Sequence, residues 1–433
     1  MSDMTHHEAP EKHELRLGFI PLTDCCVLAV AREKGFFQSY DLDVTLSREA
    51  SWANIRDKVA VGALDGAHML AGIPIAATLG LGFSKKPMIT AFSMDLNGNA
   101  VTVSNALYDR IRGAEAAQMT PARTAQLLKQ VMDKDRKDSG RVLRFATVFP
   151  FSNHNYQLRY WMAAAGIDPD RDVELTVIPP QYMVDNLASG AIDGFCAGEP
   201  WNSHAVRSLA GKILVTGYDI WNNAPEKVFG VTQDWAQKYP ATHRALIKAM
   251  LEAARWIDLP ENREEVVSII AGAPYTNADA AVVRMSMTGT FQYSHDSGPV
   301  PLPDFNVFHR YLANFPWRSH AMWIITQMYR WGQLVQYLNI REVAESVYRP
   351  DIYRETAAML GFPLPGSDDK CEGGHAGNWQ LETADSGLLM GSDSFIDGGN
   401  FDPGDPVAYL KRQNIRHPGL DIERLAQANH RDQ

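Results

Sequence analysis

Two stretches of this chain repeat each other at one fixed distance, and that repeat limits the fold more than any other feature. Leu15-Arg16 opens LRLGFIPLTD and Leu143-Arg144 opens LRFATVFPFSN, while Gly62 opens GALDG and Gly190 opens GAIDG. Both pairs lie 128 residues apart, and in each half the second feature follows the first by 47 residues. Between the anchors the order of elements also matches. An apolar strand comes first, then a loop, a helix (roughly 24–38 and 153–165) and a second strand (DVTLS and ELTVI). A further helix leads into the glycine turn and a short apolar strand, GAHML or GFCAG. A glycine helix stop followed by Asp-Gly is a common turn, so the shared spacing carries the inference rather than the motif. β-α-β-α-β twice over predicts an α/β chain with parallel sheets and helices on both faces.

In open sheets of this kind ligands sit beyond the carboxyl ends of the strands. Two halves facing each other would put those ends across a cleft, lined by loops 20–25, 48–54, 68–74 and 97–100 of the first half. The matching loops of the second half are 150–155, 178–182, 196–202 and 224–228. Ser152 or Asn153 is placed to cap a helix whose first turn holds His154, where free N–H groups favour an anion. Trp52 and Pro180 are related by the repeat, and Trp52 could offer its indole N–H and its face. Asn99 and Lys227 are related in the same way, each opening a β-branched strand that leaves one lobe for the other. Gly198 permits close backbone approach to a ligand, and Glu199 reads as a structural acid or as an orienting partner for His154 or Lys227. A lone histidine, tryptophan or lysine is more often packed or solvated than functional. Together these groups are nearly all donors around one firm positive charge, which is what a buried anion requires.

Composition narrows the classes. The formal net charge of -10 argues against direct nucleic-acid binding, so an anion site must be made locally. Four cysteines, two of them adjacent (Cys25 and Cys26), make no disulfide framework and suggest a reduced compartment. The N-terminus reads as a polar, disordered leader over residues 1–14 without a signal peptide. The apolar stretch Ala71–Leu81 is broken by Pro74 and Gly80, so no membrane span is expected. No catalytic base–nucleophile set, no cofactor and no firm metal site is read, Cys371 and His375 being too few ligands.

The segments ASWANIRDKVAVGALDGAHML, NGNAVTVS, CAGEPWN, APEKVFGV and FDPGDPVAYLKRQNI resemble the NrtA/CmpA-like nitrate-binding proteins of ABC transporters. The resemblance covers most of residues 15–365 and implies a periplasmic-binding-protein-like fold: two doubly wound lobes, a hinge and an anion-binding cleft. It implies nitrate or nitrite held by Trp52, His154, Gly198 and Lys227 with Pro180 nearby. The family's site glutamine is replaced by Asn99, which shortens one donor arm. Bicarbonate-binding relatives carry an acid where Lys227 stands. Lobe 1 is expected over 15–100 and again over 226–345, with lobe 2 over 101–225. Residues 346–433 form an extension whose Gly/Asp/Ser-rich part, 366–404, is expected to be irregular and draped over the surface, or to serve a partner. Because no leader is visible, the resemblance points to a cytoplasmic NasS-type sensor. Such a sensor binds nitrate or nitrite and releases an ANTAR-domain RNA-binding antiterminator of nitrate-assimilation genes. A transporter's substrate-binding subunit is the alternative.

Overall fold

The computed structural model describes residues 8–113, 119–382 and 387–430. Ten strands carry the architecture: β1 (Glu14–Phe19), β2 (Asp43–Arg48), β3 (Gly66–Leu70), β4 (Met88–Ser93), β5 (Asn99–Ser104), β6 (Leu143–Thr147), β7 (Val173–Val177), β8 (Gly194–Gly198), β9 (Gly211–Thr216) and β10 (Lys227–Thr232). They form two five-stranded sheets, ordered β2-β1-β3-β10-β4 and β7-β6-β8-β5-β9. Strands 128 residues apart hold equivalent places. β3 answers β8, and β5 answers β10 residue for residue.

The repeated anchors meet in space for a physical reason. Gly62 and Gly190 adopt left-handed φ of 75° and 74°, a conformation costly for any side-chain-bearing residue. The aspartate three residues on then reaches the opening strand of its own lobe. Asp65 Oδ2 accepts from Arg16 N and Asp193 Oδ2 from Arg144 N, each at 2.9 Å. LR and GAxDG are therefore two sides of one hydrogen-bonded corner, made once in each lobe.

β5 and β10 are exchanged between the lobes. Each runs antiparallel to its neighbours, so its first residue lies at the carboxyl end of the adjacent parallel strand. Lys227 pairs in register with Leu70, and Asn99 with Gly198. The exchange places the openings of both crossover strands, and no other part of them, at the cleft.

The rest of the chain packs around this frame. After β10 come helices Gln233–Lys238 and Pro240–Ile257, with Pro240 opening the second. Part of the expected leader is docked rather than loose. Glu11 accepts from Ala241 N and Thr242 N, at 2.9 and 2.8 Å, capping the long helix. Residues 1–7 lie outside the described part. Segment 366–404 is irregular, with one short hairpin (Trp379–Leu381 with Leu388–Met390), but it is not simply draped. Phe395 and Phe401 are buried in the main core, and Glu372 is fully buried against Ser319 and Lys370. No helix among the described residues is long and apolar enough to cross a membrane.

Candidate anion site between the lobes

The lobes meet closely. Thr23 N donates to Glu199 O at 2.8 Å, Gln181 Nε2 to Ala50 O at 3.1 Å, and Asn153 Nδ2 to Pro225 O. Between them, at the carboxyl ends of the parallel strands, sits a buried cluster of polar side chains.

Lys227 is its centre and is fully buried. The ammonium lies 2.7 Å from Asp24 Oδ2 and 2.7 Å from Glu226 Oε1, and 5.7 Å from the Trp52 ring centre. Glu226 touches two more candidate ligands. Asn99 Nδ2 donates to its Oε2 at 2.8 Å, and His154 Nε2 stands 3.2 Å from its Oε1, close enough to pair but outside hydrogen-bond geometry. Asp24 is also approached by His68 Nε2 at 2.8 Å, while His68 Nδ1 accepts from Ile20 N at 3.5 Å. That acceptor role puts the imidazole proton on Nε2, facing the carboxylate. Asp95 Oδ1 accepts from Lys227 N at 2.9 Å.

Local structure explains how these side chains arrive. Ser51 caps helix Trp52–Ala60 and Ser152 caps Asn153–Ala164, each accepting from the N–H three residues on. The two helices thus open at the cleft with Trp52 and His154 in their first turns. Gly198 ends β8 under His154: a Cβ there would sit 3.4 Å from His154 Nε2 and 3.7 Å from Asp24 Oδ2. Five of the six residues singled out from sequence, Trp52, Asn99, His154, Gly198 and Lys227, therefore share one site. Pro180 is buried at the head of the turn Pro180–Tyr182, and its neighbour Gln181 donates to Ala50 O in the Trp52 loop.

The expectation of a ring made up nearly all of donors is corrected. Asp24, Glu226 and Asp95 are acceptors in the same cluster, and His68 is a further member. Burial acts to lower the Lys227 pKa, but Asp24, Glu226 and Asp95 outweigh it and hold the ammonium firmly charged. Burial opposes ionisation of Asp24, yet Lys227 and His68 keep its carboxyl below the usual carboxylate range. Burial pushes Glu226 up to about 7, with Lys227 offsetting part of the effect, and pushes Asp95 well up, aided by Asp24. Burial and then Lys227 drive His154 well down, so its ring is neutral. The indole N–H of Trp52 and Nδ1 of His154 are buried without a hydrogen-bond partner from the protein.

Three other candidates resolve differently. Glu199 neither orients His154 nor pairs with Lys227; its Oε2 accepts from Ser203 N at 3.1 Å and its Oε1 has no hydrogen-bond partner. Burial lifts its carboxyl from the ordinary 4.5 up to about 7. A raised carboxyl stabilises the fold fully below about pH 4.5 and loses that contribution as pH rises through 7. Glu199→Gln is therefore expected to gain stability relative to wild type between pH 4.5 and pH 8, by about 3 kcal/mol at most. Urea denaturation at both pH values checks this, and a pH-independent difference would refute it. Cys25 and Cys26 are buried with thiols pushed well up by burial, unsuited to nucleophilic chemistry. His375 is spent on Asp393, 3.1 Å away, and on the face of Trp379; no metal-holding group of three ligands occurs among the described residues.

Comparison with known proteins shows what this chain is similar to. The NMT1-like family model matches residues 8–271. The nitrate import ATP-binding protein NrtC of Synechocystis sp. is 40% identical over 97% of this chain, and the bicarbonate transport ATP-binding protein CmpC of Synechococcus elongatus is 37% identical over 96%. The chain spans only 58% and 57% of those two proteins' lengths. The crystal structure of the periplasmic nitrate-binding protein NrtA from Synechocystis PCC 6803 matches with a TM-score of 0.83 at 30% identity, covering 94% of this chain and 100% of that one. The two-lobed periplasmic-binding-protein-like fold is thereby established.

The same findings overturn the NasS-type sensor. The similar proteins are import components and a periplasmic binding protein, so the cytoplasmic location, the regulatory role and the ANTAR-domain antiterminator partner are all withdrawn. That reading rested on the absence of a leader. The cleft chemistry is equally suited to capture for transport, so it gave no support for a sensor over a transport protein.

Proposed function

This chain belongs to the NMT1-like family, as an NrtA-like binding protein, and on that premise we propose that it is the substrate-binding component of an ABC-type importer for nitrate or nitrite. It captures the anion in the periplasm and delivers it to a membrane permease driven by an ATP-binding subunit. The observation that carries the reading is the convergence of Lys227, His154, Asn99 and Trp52 on one buried point between the lobes. A planar oxyanion there would meet one ammonium, an amide, an indole N–H and an imidazole. Each donor comes from a different element, so only the closed lobes assemble the full set. The ligand binds that closed state better and shifts the population toward it, which gives the permease a conformation to recognise.

Bicarbonate is the second reading. Asp24 and Glu226 are acceptors within the cluster, and bicarbonate, unlike nitrate, carries an O–H that a carboxylate can receive. Calorimetric titration with sodium nitrate, nitrite and bicarbonate, with chloride as comparator, separates the readings. Saturable, stoichiometric binding of nitrate or nitrite is expected; binding of none of the three would end both. Within the same experiment Trp52→Phe keeps an aromatic wall but removes the indole donor. A hydrogen bond to a charged ligand contributes about 1.5–3 kcal/mol, so affinity should fall about 10- to 100-fold. An unchanged affinity would remove Trp52 from the site.

A further inference from the structure

The carboxylate of Glu226 already makes the contacts that an oxyanion would need. Its Oε1 lies 2.7 Å from Lys227 Nζ and 3.2 Å from His154 Nε2, and its Oε2 takes the Asn99 amide at 2.8 Å. Three candidate ligand residues from three elements thus converge on one planar group with two oxygens, the shape and charge of the proposed ligand. The glutamate is built into the crossover: it directly precedes Lys227 at the head of β10, and the backbone beside it is fixed by Asn153 Nδ2 on Pro225 O. The cluster has no cation to spare. Lys227 faces two carboxylates at 2.7 Å, and an anion entering beside both would be repelled at close range in a buried site.

We propose that Glu226 is a built-in occupant of the anion site, holding Lys227 until an oxyanion replaces it and then leaving as the neutral acid, so that capture of one anion takes up one proton. The proton comes from solvent and adds to a Glu226 carboxylate oxygen; no other bond forms or breaks. This rests on the oxyanion-binding function proposed above. The groups facing Glu226 leave it as the acceptor. Lys227 beside it stays charged, and His154 on the facing helix is neutral and held well down by burial and Lys227. Burial pushes Asp95 after β4 and Cys196 on β8 well up, Asp24 adding to the shift of Asp95, so neither is placed to give up its own proton more readily than an ordinary group. Asp24 after β1 is held low by Lys227 and His68 despite burial. Burial pushes Glu226 itself up to about 7, so the uptake falls in the neutral range.

The full chain is titrated with sodium nitrate and sodium nitrite between pH 5.5 and 8.5, by calorimetry in buffers of low and high ionisation enthalpy. Wild-type affinity should be level below about pH 7 and fall about tenfold per pH unit above it, with proton uptake approaching one per anion at pH 8.5. Glu226→Gln should bind tenfold or more tightly than wild type at pH 8.5, with a flat pH profile and no uptake. Weaker or equal binding by a folded Glu226→Gln overturns the proposal. Uptake that persists in that variant also overturns it, because the proton would then belong to His154 or another group. If Glu226→Gln does not fold, the wild type decides alone, since anion binding without proton uptake is sufficient to refute it. Absence of any anion binding by wild type across the pH range is a different failure, and it falls on the oxyanion reading itself.

Discussion

Lys227→Met is expected to abolish oxyanion binding and, separately, to destabilise the fold by about 3–5 kcal/mol near pH 8. The two effects share one origin. Asp24 and Glu226 are 3% and 1% exposed at their side chains, and Lys227 is the only fully charged cation within pairing distance of either among the described residues. Removing it leaves two buried carboxyls that must ionise unpaired or take protons. The penalty should shrink toward pH 5, where protonation is cheaper, and the slope of stability against pH should steepen accordingly. Anion affinity should fall about 100-fold or more, since truncating a buried charged partner costs about 2–5 kcal/mol of binding. Adding Asp24→Asn and Glu226→Gln to Lys227→Met should recover most of the stability, because the unpaired charges are gone, yet recover none of the binding. Denaturation and calorimetry on the single and triple variants check both halves. Nitrate affinity within threefold of wild type in Lys227→Met would exclude the cluster as the anion site.

The fold was legible in the sequence because its two halves obey the same local physics. LR and GAxDG recur at equal spacing since Asp65 and Asp193 each close the same corner on residues 16 and 144. Loop positions after the strands were legible too, and with them Trp52, Asn99, His154, Gly198 and Lys227. The acidic half of the site was not. Asp24 lies in a loop already marked as facing the cleft, but an aspartate before a helix reads as a cap. Glu226 beside Lys227 reads as a solvated charge pair. Only the strand exchange, which buries the head of β10 against Leu70 and Met94, turns that pair inward. His68 opens another loop marked as facing the cleft, 68–74, but it sits in the apolar strand GAHML, where a neutral, packed histidine is the ordinary expectation.

Segment 366–404 reads as irregular from a composition poor in aliphatics, and composition does not register single aromatic anchors. Phe395→Ala is expected to cost about 3–5 kcal/mol and to loosen the hinge. The Phe395 ring stacks on Trp221 with centroids 4.7 Å apart, and lies 5.6 Å from Tyr160 and 6.3 Å from Trp323. Around it the backbone of the segment is bonded to the connection that carries the chain from lobe 2 into β10. Ile396 N donates to Ile220 O at 2.9 Å, Asn222 N to Ser394 O at 3.0 Å, and Asn223 Nδ2 to Ser392 O at 2.8 Å. Because Trp221 belongs to that connection and Trp323 to helix Arg318–Arg330, the one ring ties the hinge to the body of the protein. Truncating it leaves a cavity among three aromatic groups and removes the support for three hydrogen bonds that end four residues before Lys227. Amide hydrogen exchange should therefore quicken at 220–224 and 392–396 together, beyond the increase that lower global stability produces elsewhere. Anion affinity should weaken, since the closed arrangement that gathers the ligand donors loses its brace. If the variant melts lower but exchange at 220–224 rises no more than in the rest of the chain, the segment contributes core packing alone and the hinge is braced elsewhere.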